Sequence, residues 1–201
     1  MMKESKFIVI AYYTGNTLYE DYAKELIQSL KLYDILYHVE RIDDLGGWYK
    51  NIGHKPTFIK RMLLKFSDLN IVYVDCDARF FKYPKLFDEL GLDVNVAAHE
   101  FDRRNWGRGD NKTEVLSGTI FLRNNETTLK LVEKWEQECQ ANPWAFDQKL
   151  LENILAGDYY RLPGEYCKIF DTMRSIRNPV IVHYQASRRV RKKKGWLKKI
   201  T

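Results

Sequence analysis

Residues Ile71-Val72-Tyr73-Val74-Asp75-Cys76-Asp77 constrain this chain more than any other stretch. Four apolar, mostly β-branched residues run directly into two carboxylates. Such a run reads as a strand buried on both faces. An extended backbone alternates its side chains, which predicts Asp75 and Asp77 on one side and Cys76 on the other. Two carboxylates at the end of a buried strand are costly without a cation. A divalent metal is the simplest occupant, since hard cations take carboxylate oxygens.

The rest of the chain alternates strand and helix patterns. Phe7 to Tyr12 reads as a first buried strand, followed by a loop from Tyr13 to Asn16. Thr17 and Glu20 form a capping box for a helix running to about Leu32, with Leu18, Tyr22, Leu26 and Leu30 on one face. Ile35 to Val39 is a second strand, residues 43–55 a long glycine-bearing loop, and Thr57 to Phe66 a second helix. After the carboxylates come a short helix (Lys85 to Leu90), a strand (Val94 to Ala98) and a polar, Arg- and Gly-rich segment from Glu100 to Glu114 that reads as a mobile loop. Leu116 to Leu122 is a strand, and residues 126–140 form a helix. Asn142 and Pro143 begin another, with Phe146, Leu150 and Ile154 in register. Short strands are expected at Tyr159 to Leu162 and Val180 to His183. This order predicts an α/β class fold, one domain with a mostly parallel sheet flanked by helices, spanning residues 1–187. Ligands of such sheets bind at the carboxyl ends of the strands, where Tyr12, Tyr13, Thr14 and Asp75 fall.

The net charge of +6 is unevenly spread. Eight basic residues and no acidic one lie between Arg188 and Lys199; setting them aside leaves 25 basic against 27 acidic residues. Basicity is thus a feature of a tail, residues 188–201, which argues against a protein that coats nucleic acid uniformly. The tail is either a solvated charge run or, with Trp196 and Leu197, a contact for anionic lipid or nucleic acid. No apolar run reaches the length of a membrane span, and the N-terminus carries no signal-like apolar region. The expected location is cytoplasmic, with the tail suited to a peripheral position at the inner membrane surface. Three scattered cysteines suggest neither a disulfide framework nor a zinc cluster.

Five features could carry chemistry. A lone D-x-D is more often a turn or a helix cap, but its place after a buried strand sets Asp75 and Asp77 apart. His183, ending Val180 to His183, is by itself more often a hydrogen-bonded structural residue; with the two carboxylates it makes a mixed set that Mn²⁺ accepts, leaving positions for phosphate oxygens. Asp147 either reaches a cleft or favours its helix dipole. Gly118, in Ser117-Gly118-Thr119, either relieves crowding or lets a ligand lie against the strand. Lys60 is either a solvated lysine or faces a phosphate.

Together these residues resemble the metal-dependent nucleotide-sugar glycosyltransferases of the GT-A fold, the branch of glycogenin-like and bacterial lipopolysaccharide galactosyltransferases and related nucleotide-diphospho-sugar transferases. The resemblance runs from Phe7 to about Arg189. It rests on the D-x-D with the following Phe80-Phe81-Lys82-Tyr83-Pro84, the Leu116-Ser117-Gly118 strand, Asp147-Gln148 and His183. It departs from the family in His183-Tyr184-Gln185-Ala186, where His-x-x-Gly is usual, and in Leu116, where Asn is usual. The resemblance implies a sugar moved from a nucleoside diphosphate donor, UDP first, to a hydroxyl acceptor, with Mn²⁺ or Mg²⁺ held by Asp75, Asp77 and His183. It implies donor contacts from Tyr12, Tyr13, Thr14, Lys60, Asp75, Cys76, Ser117, Gly118, Gln148 and Arg188. An inverting reaction needs a carboxylate base, Asp147 or Glu100; a retaining one does not. The acceptor is a glycan or lipid-linked saccharide, or else a hydroxymethylated base in DNA met by Arg103, Arg104 and Trp106. A degenerate domain that only binds a nucleotide sugar is the non-catalytic alternative.

Overall fold

A computed structural model describes residues 6–107 and 112–188, without the side chains of 105 and 106. The tail beyond Arg188 and the loop residues 108–111 lie outside the described residues.

A six-stranded sheet forms the middle layer, in the order β2-β1-β3-β6-β5-β7. These are β1 (Phe7–Thr14), β2 (Tyr37–Ile42), β3 (Asn70–Val74), β5 (Val96–Asp102), β6 (Thr113–Leu122) and β7 (Tyr160–Arg161). β6 runs against its neighbours β3 and β5; the other pairings are parallel. The sheet is therefore mixed but mostly parallel, as the strand and helix alternation predicts.

The pleat of β1 sorts its residues onto two cores. Ile8, Ile10 and Tyr12 face one side, where Phe58, Ile59 and Met62 of α3 (Lys55–Lys65), Val132 and Trp135 of α5 (Glu126–Ala141), and Leu151 and Leu155 of α6 (Asp147–Leu155) pack. Phe7, Val9 and Ala11 face the other, against Leu26 and Leu30 of α1 (Leu18–Leu32) and Phe87 of α4 (Leu86–Glu89). Burial on both faces explains the unbroken apolar run. Truncating a fully buried ring such as Phe58 or Phe121 to alanine costs about 3–5 kcal/mol.

Helix α1 begins as expected: Thr17 accepts the Tyr19 amide at 3.2 Å, and Glu20 reaches back to the amide of Asn16 rather than that of Thr17. Four expectations are corrected. The segment 43–55 contains a short helix, α2 (Trp48–Gly53). The stretch from Glu100 is not a loop throughout, since β5 runs to Asp102 and a 3₁₀ turn follows at Arg103–Trp106. The helix expected from Asn142 starts only at Asp147, so Phe146 precedes it and is half exposed rather than in the core. Ala78–Phe80, not foreseen as a strand, is β4 of a second, three-stranded sheet with β8 (Lys168–Ile169) and β9 (Ile181–His183).

Two irregularities place the site. β3 ends at Val74, so Asp75, Cys76 and Asp77 form the turn into β4. In the pairing of β5 with β6, Ala98 opposes Ile120 while His99 opposes Leu116. Residues 117–119 are thus bulged out on β6, a device that re-aims side chains beside functional sites.

Candidate active site

A cavity of about 800 Å³ opens at the carboxyl ends of β1 and β3. Tyr12, Tyr13 and Thr14 line it from β1, Asp75, Cys76 and Asp77 from the turn, and Ser117, Asp147, Gln148 and Arg188 from later elements. A recess of about 140 Å³ adjoins it and shares Asp75 and Gln148, with Gly118, Thr119 and His183 in its wall.

Lys55 is the hub that sequence reasoning missed. Its ammonium, nearly inaccessible to solvent, stands 2.8 Å from Asp147 Oδ2 and 3.3 Å from Asp75 Oδ1. It also donates to Ser117 Oγ at 2.9 Å and to the Ser117 carbonyl at 3.1 Å. Burial alone would lower its pKa, but the charges of Asp147 and Asp75 outweigh that and hold it above the usual lysine value. The Ser117 hydroxyl in turn donates to Asp147 Oδ2 at 3.0 Å, and Gln148 Oε1 accepts the Ser117 amide at 3.3 Å. A signal for Lys55 did exist in the sequence. A cation in the first turn of a helix opposes the dipole, and Lys55 sits there beside Pro56 with no acidic residue in that turn. A lysine so placed is held by something else.

Lys60, expected to face phosphate, does not reach the cavity. Its ammonium is taken by Glu136 of α5. Five residues, about 1.4 helical turns, separate the two lysines and set them on different faces, so α3 presents Lys55 to the sheet end and Lys60 to its helical neighbour.

The carboxylates of the turn have distinct partners. Tyr73 donates to Asp75 Oδ1 at 3.0 Å; burial and then the Asp75 charge hold its phenol well above its ordinary value, so it stays a donor. Asp77 Oδ1 lies 3.3 Å from His183 Nδ1, and Asp77 Oδ2 accepts the Ala186 amide at 2.8 Å. These bonds, the His183 contact first, outweigh burial and hold the Asp77 carboxyl below its usual value. Pairing of Ala78 with His183 between β4 and β9 brings the imidazole beside the turn. His183 Nε2 is 2.8 Å from Thr119 Oγ1, which fixes the ring. The strict alternation expected across residues 71–77 holds only to Val74; Cys76 also lines the cavity, and burial pushes its thiol up.

Gly118 sits between the partners. A Cβ there would come 3.3 Å from Asp75 Oδ2 and 3.4 Å from His183 Cε1, so any side chain would crowd both. As the side chains stand, no three His, Cys, Asp or Glu residues converge on one point among the described residues. The donor set nevertheless suits a hard cation. Two ligands of an octahedral ion sit about 3 Å apart, close to the spacing of Asp77 and His183, and Asp75 Oδ2 faces the same cradle.

Two further expectations are corrected. Glu100 does not line the cavity; its carboxylate accepts from Arg161 at 2.6 Å and Tyr159 at 2.9 Å. Arg161 first and Tyr159 second hold it below its usual value, which makes it a poor base. Glu114 and Glu152 are the glutamates that line the cavity. Arg103 and Arg104 are not among its lining residues, and Arg104 is paired with Asp102. The Trp106 side chain lies outside the described residues.

Residues 47–198 match the family described as nucleotide-diphospho-sugar transferase. Among solved structures the chain is similar to a glycosyltransferase involved in the glycosylation of the major capsid of PBCV-1, at 15% identity over 94% of this chain and 98% of that one, with a TM-score of 0.69. It is also similar to the apo-form glycosyltransferase GlyE of Streptococcus pneumoniae TIGR4, at 15% identity, 90% and 54% coverage and a TM-score of 0.64. A third likeness is to the galactosyltransferase LgtC in complex with donor and acceptor sugar analogs, at 14% identity, 89% and 87% coverage and a TM-score of 0.54. No curated protein matches the chain. With its family profile matched over three quarters of its length, the chain belongs to the nucleotide-diphospho-sugar transferases and is a glycosyltransferase that uses a nucleotide-sugar donor.

Proposed function

We propose that this glycosyltransferase moves a sugar from a UDP-linked donor to a hydroxyl of a glycan or lipid-linked saccharide, with Mn²⁺ or Mg²⁺ held by Asp75, Asp77 and His183. The observation that carries this reading is the meeting of Asp75, His183 and the side-chain-free Gly118 in one recess of the cavity, with Asp77 3.3 Å from His183 Nδ1. A cation bound there supplies Lewis-acid stabilisation of the charge that builds on the leaving diphosphate.

The chain's own residues divide the remaining work. Tyr12, Tyr13 and Thr14 flank the base and ribose at the end of β1. Tyr12 is held for this by donating to the Asn51 carbonyl at 2.6 Å. Arg188, in the cavity wall, is paired with Asp171 at 3.2 Å and serves the diphosphate by exchanging that partner for it. Cys76, Ser117, Gly118 and Gln148 shape the donor pocket. Lys55 fixes Asp147 and Asp75 in register, so their carboxylates are preorganised rather than reorganised during reaction. Asp147 has its Oδ2 committed to Lys55 and Ser117. It is suited to orienting the sugar. With Glu100 turned to Arg161, the base expected for an inverting reaction loses one of its two candidates.

A hydrolysis screen across nucleotide sugars, with and without Mn²⁺, tests this reading. Metal-stimulated release of UDP from one UDP-sugar is the expected result. Equal rates with and without metal, or no turnover of any nucleotide sugar, would overturn it.

A further inference from the structure

Four aromatic rings form one cluster beside the cavity, and none belongs to the donor machinery described above; Trp48 and Phe146 line the cavity, and Tyr49 and Trp144 extend the cluster outward from them. Trp48 and Tyr49 come from α2; Trp144 and Phe146 come from the segment ahead of α6. Trp48 meets Phe146 at 5.7 Å between centroids, Tyr49 meets Phe146 at 5.7 Å, and Tyr49 meets Trp144 at 6.1 Å, all near edge-to-face. Yet Trp144 is 74% exposed and Phe146 51%. Large rings kept in water are costly by the measure that puts such residues in cores, and these are held there by built structure. Asp44 accepts the amides of Gly46 and Gly47 at 3.0 and 2.9 Å and the Asn51 side chain at 3.0 Å. Both glycines have positive φ, 95° and 120°, a conformation that other residues rarely adopt. The turn that presents Trp48 and Tyr49 is therefore pinned. Phe146 is followed directly by Asp147, so the same backbone carries the exposed ring and the buried carboxylate.

We infer that this aromatic wall is the acceptor subsite, and that it takes a neutral sugar ring of a glycan by stacking on the Trp144 and Phe146 faces. The inference rests on the proposed transfer reaction. Trp48 and Phe146 line the same cavity as Asp75 and Asp147, so a ring seated on the wall adjoins the donor recess. Flat apolar rings beside Asn51, Lys149 and Glu152 suit a ligand with apolar faces and a hydroxyl edge. The charge selects against nucleic acid. Five carboxylates (Asp75, Asp77, Glu114, Asp147 and Glu152) line the cavity against three cations (Lys55, Lys149 and Arg188), and each of those cations is already paired with a carboxylate. Phosphates of a DNA strand would be repelled there. The acceptor contact is thereby moved from Arg103, Arg104 and Trp106 to the α2 and α6 approaches.

The test is a binding titration on the full chain with saturating UDP and Mn²⁺. The probes are methyl glycosides of glucose, galactose, mannose and N-acetylglucosamine, their di- and trisaccharides, and a DNA duplex bearing hydroxymethylcytosine, each followed by saturation-transfer NMR. At least one saccharide should bind, and Trp144→Ala should weaken it about tenfold with UDP affinity unchanged. Phe146→Leu should weaken it less, because bulk beside Asp147 is kept. The inference is overturned if no saccharide binds while UDP does, if Trp144→Ala binds as wild type does, or if the duplex binds in place of the saccharides. Failure of UDP itself to bind wild type would instead overturn the donor reading on which the inference rests.

Discussion

The Lys55 ammonium lies 2.8 Å from Asp147 Oδ2, joining the start of α3 to the start of α6 beneath the cavity floor. Both side chains are buried, and Asp75 shares the same cation. Removing one partner of such a group strands the others. Lys55→Met should therefore cost about 3–5 kcal/mol of stability and abolish transfer. Lys60→Met should leave transfer within about twofold of wild type, since about 0.4 kcal/mol separates the two at that ratio and Lys60 contacts Glu136 rather than the cavity. Chemical denaturation and initial rates on both variants check this contrast. Equal losses in the two would contradict it.

Gly118→Ala probes the cradle. The added methyl would sit 3.3 Å from Asp75 Oδ2 and 3.4 Å from His183, so both must move by a few tenths of an ångström. The fold should lose little, because the contacts are side chains rather than backbone. Mn²⁺-dependent UDP affinity should fall about tenfold or more. Isothermal titration with a parallel thermal melt separates the two effects.

The Lys60–Glu136 pair gives a pH prediction away from the site. Glu136 is held below the ordinary carboxyl value of 4.5, because hydrogen bonds from Lys60 and Thr57 outweigh burial. Its folded-state pKa is depressed, so the unfolded chain binds protons more readily as acid is added. The pair's contribution is complete above pH of about 4.5 and is lost as pH falls through the lower folded value. Melting temperature should drop on acidification from pH 6 to pH 3, and the drop should be shallower in Glu136→Gln.

Much of the fold was legible because its strands are buried on both faces. Phe7 to Tyr12 and Ile71 to Val74 are unbroken apolar runs, and α1 carries its own cap at Thr17. Asp75, Asp77, Gly118, Asp147 and His183 were legible as types of residue in order, and they do meet at one recess or its border. Contacts set by distant pairing were not legible. Nothing local in Ala78-Arg79-Phe80 marks a strand; its partner is β9, about a hundred residues on. The apolar stripe of Phe58, Met62 and Phe66 does not reveal which face of α3 meets the sheet end, and the one local mark that separates Lys55 from Lys60 is its unfavourable place in the first helical turn. Phe146 fitted a helical stripe, yet the helix begins one residue later and the ring faces water.

In the proposed mechanism Asp75, Asp77 and His183 hold the donor diphosphate through a divalent cation. Isothermal titration of UDP into wild type and Asp77→Ala, each with and without Mn²⁺, tests it most directly. The account predicts that wild type binds UDP far more tightly with Mn²⁺ and that Asp77→Ala loses this metal-dependent increment while its fold persists. An increment of the same size in Asp77→Ala would contradict it.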